Sequence, residues 1–308
     1  MRTGPESSLF QSGHGATIVV PLDGSVQALD ALPVARGFAA LIDSTIHVVH
    51  VSPDSLPYED LCARLKLTPE QLSDCILDQR TGSPATAIIQ EAEQWNSSLI
   101  VMCPYTAAKA EGGLGSIAQE ILTNTPCPIV LVPPGRGQRP WSLRHLLLPH
   151  DGTPTSAIAI RPMTDLAQRA EARVTVLHVT TAAAAPPEER GTFAAPRYLD
   201  QPHHEWPAWG REFLHRACAS AKPPAHVTLR TVFCTEDIGE ATVRFASEHE
   251  TDLIALAWRR RLDPKRARTM RSVIQHTRCP AMIYPIRGQS RSGVSDTVAA
   301  QGHHVDGD

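Results

Sequence analysis

No stretch of this chain approaches the roughly 18 consecutive apolar residues that a bilayer-spanning helix requires. Residues Met1 to Gly15 lack the basic segment followed by an apolar core that marks a secretory signal. A cytoplasmic protein with no membrane contact is therefore expected. Charge of one sign is also scarce. A net charge of −3 and a pI near 6.5 give no general electrostatic reason to bind nucleic acid. The seven cysteines are odd in number and include no Cys-x-x-Cys, which argues against a disulfide framework or a zinc–thiolate site. The chain also lacks a Gly-x-Ser-x-Gly elbow, a Walker loop and a Cys/His arrangement for nucleophilic catalysis. His203-His204-Glu205 and His303-His304 do not have the His-Glu-x-x-His spacing that places two imidazoles on one helix face, so no metal is assigned.

What is present is a repeat. Ile18 to Ser25 (IVVPLDGS) matches Leu146 to Thr153 (LLLPHDGT), and Val48 to Val51 matches Val176 to Val179, both at an offset of 128. Leu99 to Met102 matches Leu253 to Leu256 at an offset of 154, and Thr125 to Pro133 matches Thr277 to Pro285 at 152. The rise from 128 to 154 locates an insertion of 26 residues in the second copy, assigned to 180–209, an Ala- and Pro-rich surface excursion. Two residues are then lost near Arg259–Arg268.

The boundaries expected from this pattern are a disordered tail at 1–15, a first domain at 16–134, a polar Gly/Pro linker at 135–142, a second domain at 143–287 and a disordered tail at 288–308. Apolar Val/Ile/Leu runs predict strands at 17–22, 45–51, 98–103 and 128–132, with a weaker one at 75–79. The second copy repeats them at 145–149, 173–179, 227–233, 252–257 and 281–285. Helical patterns lie between them, near 27–41, 84–95 and 116–123, then 156–170, 210–221, 238–249 and 267–275. Continuous apolar strands alternating with helices imply parallel sheets covered on both faces. Pro33 and Pro162 should each kink the first helix of its copy or shift its start.

In this order, the pieces resemble the universal stress protein family: Pro-x-Asp-Gly-Ser after the first strand, His-Val closing the second, Leu-Ile-Val-Met as the fourth, a Gly-Ser helix start and Pro-Cys-Pro before the last strand. The resemblance spans both copies. It implies an α/β architecture of two doubly wound, five-stranded parallel sheets in tandem, packed as a pseudo-two-fold pair through their last strands. It also implies an adenine-nucleotide pocket, with Pro21 and Asp23 lining the nucleoside and Val51 meeting the base through its backbone. ATP or AMP is the ligand so implied. Family members that bind ATP share Gly-x-x-Gly, nine residues, then Gly-Ser/Thr. Here the first copy carries Cys103 and Thr106 in place of the two glycines, with eight residues before Gly115-Ser116. The second copy carries Ala257, Arg260, Ala267 and Arg268 at the four positions.

Several residues could carry binding chemistry, each with a plainer alternative. Asp23 and Asp151 fall at strand C-terminal ends, where ligands of open α/β sheets bind, yet Asp-Gly-Ser also turns a chain and caps a helix. Gly112, Gly113, Gly115 and Ser116 form the candidate phosphate loop, because glycines admit close backbone approach and Gly115-Ser116 opens a helix. Glu111 opposes that role by its charge. Seven basic residues between Arg259 and Arg271 could recognise an anion, or could form a solvated face or a partner contact. His50 and His178 fall inside strands and read as hydrogen-bonded core residues. Cys127 and Cys279 read as small packed hydrophobes.

These observations lead to a non-catalytic stress-response protein, binding adenine nucleotide weakly in the first copy, with the second copy as structural partner. The alternative is a nucleotide-independent interaction module that meets a protein partner or a second copy of itself. A slow ATP hydrolase comes third, because neither a general base nor a pair of metal-binding carboxylates can be named.

Overall fold

The computed structural model describes residues 16–104, 114–125, 127–181, 227–234, 237–258 and 264–286. The tails, most of the 180–209 insertion, the expected helix at 210–221, and Glu111, Gly112 and Gly113 lie outside the described residues.

The first copy runs β1 (Ala16–Pro21), a 3-10 turn (Gln27–Asp30), α1 (Ala31–Ile42), β2 (Ser44–Val51), α2 (Tyr58–Leu65), α3 (Pro69–Leu72), β3 (Cys75–Arg80), α4 (Pro84–Gln94), β4 (Leu99–Met102), α5 (Ser116–Asn124) and β5 (Ile129–Leu131). The second runs β6 (His145–Pro149), α6 (Pro154–Ala157), α7 (Ile160–Arg169), β7 (Arg173–Thr181), β8 (Val227–Cys234), α8 (Ile238–Glu248), β9 (Leu253–Trp258), α9 (Pro264–His276) and β10 (Ala281–Pro285). All the strands expected from the apolar runs are present. β7 continues to Thr181, so the first two residues assigned to the insertion are strand.

Pro33 and Pro162 each lie in the first turn of a helix, where no backbone N–H is needed. Both helices start late in consequence, α1 after the 3-10 turn and α7 after the separate short helix α6. The sequence reading omitted α2 and α3. The first buries only Leu61 and Leu65, too narrow a stripe to stand out. The second is held by a capping box, with Thr68 Oγ accepting from Gln71 N at 3.3 Å and Gln71 Oε1 from Thr68 N at 3.0 Å.

The strands form one ten-stranded sheet in the order β3-β2-β1-β4-β5-β10-β9-β6-β7-β8. Within each half the pairing is parallel. The halves meet where β5 and β10 pair antiparallel, with Val130 opposite Met282. Read outward from that seam, both halves give the same strand sequence, which is the pseudo-two-fold arrangement. Alternate residues of each strand face opposite sides. Ile18, Val20, Leu146 and Leu148 join the core under α1 and α7, while Val19 and Leu147 join the core on the other face with residues of α4, α5, α8 and α9.

The linker is docked rather than free. Buried Asp30 accepts from Gly135 N at 2.6 Å and Arg136 N at 3.2 Å, and Gln138 donates to Leu29 O at 2.9 Å. Trp141, only 7% exposed, stacks on Phe38 of α1 with ring centroids 4.7 Å apart and donates Nε1–H to Asp252 O at 3.2 Å. One indole thus touches both copies.

Candidate functional site

Three segments of the first copy meet at the C-terminal ends of β1, β2 and β4, where the crossovers leave a crevice. A cavity of about 190 Å³ opens there. Pro21, Leu22 and Asp23 line one side, Val49 and Val51 the base, Pro84 and Ile88 of α4 another wall, and Pro104 with Gly115 to Ala118 the remainder. Five of the seven residues picked out from the sequence (Pro21, Asp23, Val51, Gly115 and Ser116) therefore border a single space. Gly112 and Gly113 are outside the described residues, as is Thr106. Cys103, standing where the ATP-binding pattern has its first glycine, also lines the cavity.

Local chemistry shapes the two polar ends. Asp23 is exposed at the rim, and its Oδ1 accepts from Ser25 N at 2.9 Å. Ser25 Oγ in turn accepts from Ala28 N at 3.2 Å. The turning role and the cavity position coexist, because only one carboxylate oxygen is engaged in the turn. Gly24 adopts φ +85°, and a Cβ there would lie 3.1 Å from Arg64 O. The turn therefore favours glycine twice over. His50, buried, is hydrogen-bonded through Nδ1 to Leu22 O at 2.8 Å and so fixes the strand end.

At the opposite end Gly115 is the N-cap of α5, in extended conformation and without a side-chain cap. Its own N–H donates to Pro104 O at 3.1 Å. The next three N–H groups, of Ser116, Ile117 and Ala118, are the donors a helix start leaves without intrahelical acceptors, and all three residues line the cavity. With the positive end of the helix dipole they suit an anion. The walls are otherwise apolar. The site can therefore take a flat apolar group over Val49 and Val51 and a negative group at α5.

The second copy places different chemistry at the equivalent strand end. Asp151 Oδ1 accepts from Thr153 N at 3.0 Å, Thr153 Oγ at 2.6 Å and Ser156 Oγ at 2.5 Å. His150 stands where the first copy has Leu22; its Nδ1 accepts from Gly152 N at 2.9 Å. Burial pushes its imidazole down to about 4, and pushes His178 down as well. Trp258, at the position of Pro104, is buried in the same cluster as Leu177 and Val179, the counterparts of Val49 and Val51. The sequence reading missed this filling, although His150, Ser156 and Trp258 were visible as departures from the repeat.

The basic run contributes little that can be placed. Arg259 to Arg261 lie outside the described residues, while Arg268 and Arg271 are exposed on α9. Cys127 is buried beside Thr125 (Oγ to Sγ 3.4 Å), and Cys279 has the same neighbour in Thr277 at 3.3 Å. Burial raises the Cys279 thiol and, with Asp74 alongside, pushes Cys75 up to about 12, so neither is a ready thiolate. Among the described residues no helix is long and apolar enough to cross a membrane.

Comparison with known proteins agrees with the tandem α/β fold. The profile of the universal stress protein family matches residues 60–133 and 142–285. A universal stress protein of Methanocaldococcus jannaschii is 32% identical over 149 residues, covering 41% of this chain and 88% of the relative. One from a Synechocystis species is 26% identical over 149 residues, covering 42% and 95%. The crystal structure of a universal stress protein from Archaeoglobus fulgidus superposes with a TM-score of 0.61 over 91% of this chain and 98% of its own, at 14% identity. That last likeness is one of fold.

Proposed function

Since the chain belongs to the universal stress protein family, we propose that it is a cytoplasmic, non-enzymatic stress-response protein that binds one adenine nucleotide, ATP or AMP, in the first copy alone. The observation that carries this reading is the convergence of Pro21, Asp23, Val51, Gly115 and Ser116 on one cavity with an uncapped helix start at its end. The adenine would lie over Val49 and Val51, Asp23 would take the ribose hydroxyls with its second carboxylate oxygen, and the α5 N–H groups would hold phosphate. Gly112 and Gly113 would complete the phosphate loop. The second copy, with Asp151 committed to Thr153 and Ser156, would serve as structural partner across the β5–β10 seam.

Calorimetric titration with ATP and AMP tests this. One equivalent should bind in the micromolar range. Asp23→Ala and Gly115→Val should each weaken it at least tenfold, about 1.4 kcal/mol. The valine acts because a Cβ at Gly115 already lies 3.2 Å from Pro104 O. Failure to bind at millimolar nucleotide would sink the proposal.

A further inference from the structure

On the sheet face covered by α4, a second polar group forms away from the cavity. His47 of β2 is 3% exposed, and its Nδ1 has no hydrogen-bond partner. That nitrogen lies 3.6 Å from Asp78 Oδ2 of β3, too far for a hydrogen bond. Glu91 of α4 closes the group at 1% exposure. One ligand atom from each of the three lies within 4.8 Å of the others. Glu91 Oε2 accepts from Arg80 Nε at 2.6 Å, and Oε1 accepts from Trp95 Nε1 at 2.6 Å. The Trp95 ring lies 4.6 Å from the His47 imidazole.

A buried imidazole nitrogen facing carboxylates needs an electrophile, because its lone pair and their charge repel. A proton or a metal ion can fill that role. One imidazole and two carboxylates form the mixed N/O set that zinc and its first-row neighbours take, and three protein ligands leave a fourth position open. Ligand atoms on such an ion lie roughly 3.3–3.6 Å apart. The His47–Asp78 spacing of 3.6 Å already meets this, so the remaining contraction, about 1 Å, is an approach of the Glu91 carboxylate to those two groups. Arg80, 37% exposed, now neutralises Glu91 and can turn outward when a cation takes over that charge. Trp95 would keep its hydrogen bond to Glu91 and orient the carboxylate, as outer-sphere donors do.

We propose that His47, Asp78 and Glu91 form a binding site for a divalent transition metal, zinc by its donor chemistry, between β2, β3 and α4 of the first copy. The site is independent of nucleotide, although Glu91 lies one helical turn from Ile88 in the cavity wall.

The test is a zinc titration of the full chain, stripped with a chelator, in competition with a chromophoric chelator. Wild type, His47→Gln, Asp78→Asn and Asp23→Ala are compared. Thiols and other histidines also take zinc, so the reading is the difference between isotherms. Wild type and Asp23→Ala should hold one more equivalent than the other two, or hold it at least tenfold more tightly. Zinc should also change tryptophan emission in wild type, with the change reduced in Trp95→Phe, which keeps every ligand. If His47→Gln does not fold, Asp78→Asn, at a partly exposed position, decides. Coincident isotherms for wild type and Asp78→Asn would overturn the proposal.

Discussion

Replacing Gly37 with alanine should destabilise the protein although it lies inside a helix, where alanine is ordinarily favoured by about 1 kcal/mol over glycine. A Cβ at Gly37 would lie 2.5 Å from Trp141 Cε3, 2.7 Å from Trp141 O and 3.1 Å from Cζ3. Two of these are ring atoms and one is backbone, so no side-chain rotation clears all three. Either the linker shifts as a body or the indole leaves its place. Overpacking of this kind costs about 1–3 kcal/mol, and loss of a buried tryptophan about 3–5. Displacing Trp141 would also break its stack on Phe38 and its bond to Asp252 O. Set against the helical gain, the first route nets about 0–2 kcal/mol and the second about 2–4, so a loss of about 2 kcal/mol is expected.

For a protein of this size that is a drop of roughly 4–8 °C in midpoint. Scanning calorimetry of Gly37→Ala, Trp141→Ala and the double variant provides the assay. The two single losses should fall short of adding, because alanine at 37 meets no indole in the double variant. A midpoint equal to or above wild type in Gly37→Ala would refute the reasoning, since helix propensity alone has the opposite sign.

Two further outcomes follow from the second copy. The His150 imidazole, held down to about 4 by burial, titrates near 6.5 once unfolded, so stability is complete above pH 6.5 and declines as the pH falls towards 4. The decline attributable to this group is roughly 3 kcal/mol, His178 acts in the same direction, and His150→Gln should flatten the pH profile of urea unfolding in that window. Ser156→Ala removes the 2.5 Å donor to Asp151 and should lower stability by about 1–3 kcal/mol in the same assay, leaving nucleotide titration of the first copy unchanged.

The sheet was legible in the sequence because its strands are buried on both faces, so runs such as Thr17 to Val20 and Leu253 to Leu256 are almost wholly apolar. The repeat offsets then ordered them. What could not be read was short or non-local. α2 rests on two leucines four residues apart. Trp141 sits in a segment whose Gly, Arg and Gln content suggests a solvated linker, and its burial depends on a gap at Gly37 more than one hundred residues earlier. His47, Asp78 and Glu91 belong to three elements, and only the β2–β3 register and the docking of α4 bring them together.

The same reasoning explains why Asp23 and Asp151 differ despite matching motifs. Asp-Gly-Ser/Thr dictates the turn, and both aspartates accept the N–H two residues on, at 2.9 and 3.0 Å. What the motif leaves open is the carboxylate's remaining capacity, and residues outside it decide that. At the next turn the first copy has Ala28, which offers no donor, and the second has Ser156, which does. At the end of the fourth strand the first copy has Pro104, whose ring leaves room, and the second has Trp258, whose indole is buried. An apolar-to-polar change beside the carboxylate and a small-to-large change across the crevice both act against a ligand. Reverting one alone would leave the other in force, so Ser156→Ala by itself should not create a second nucleotide site.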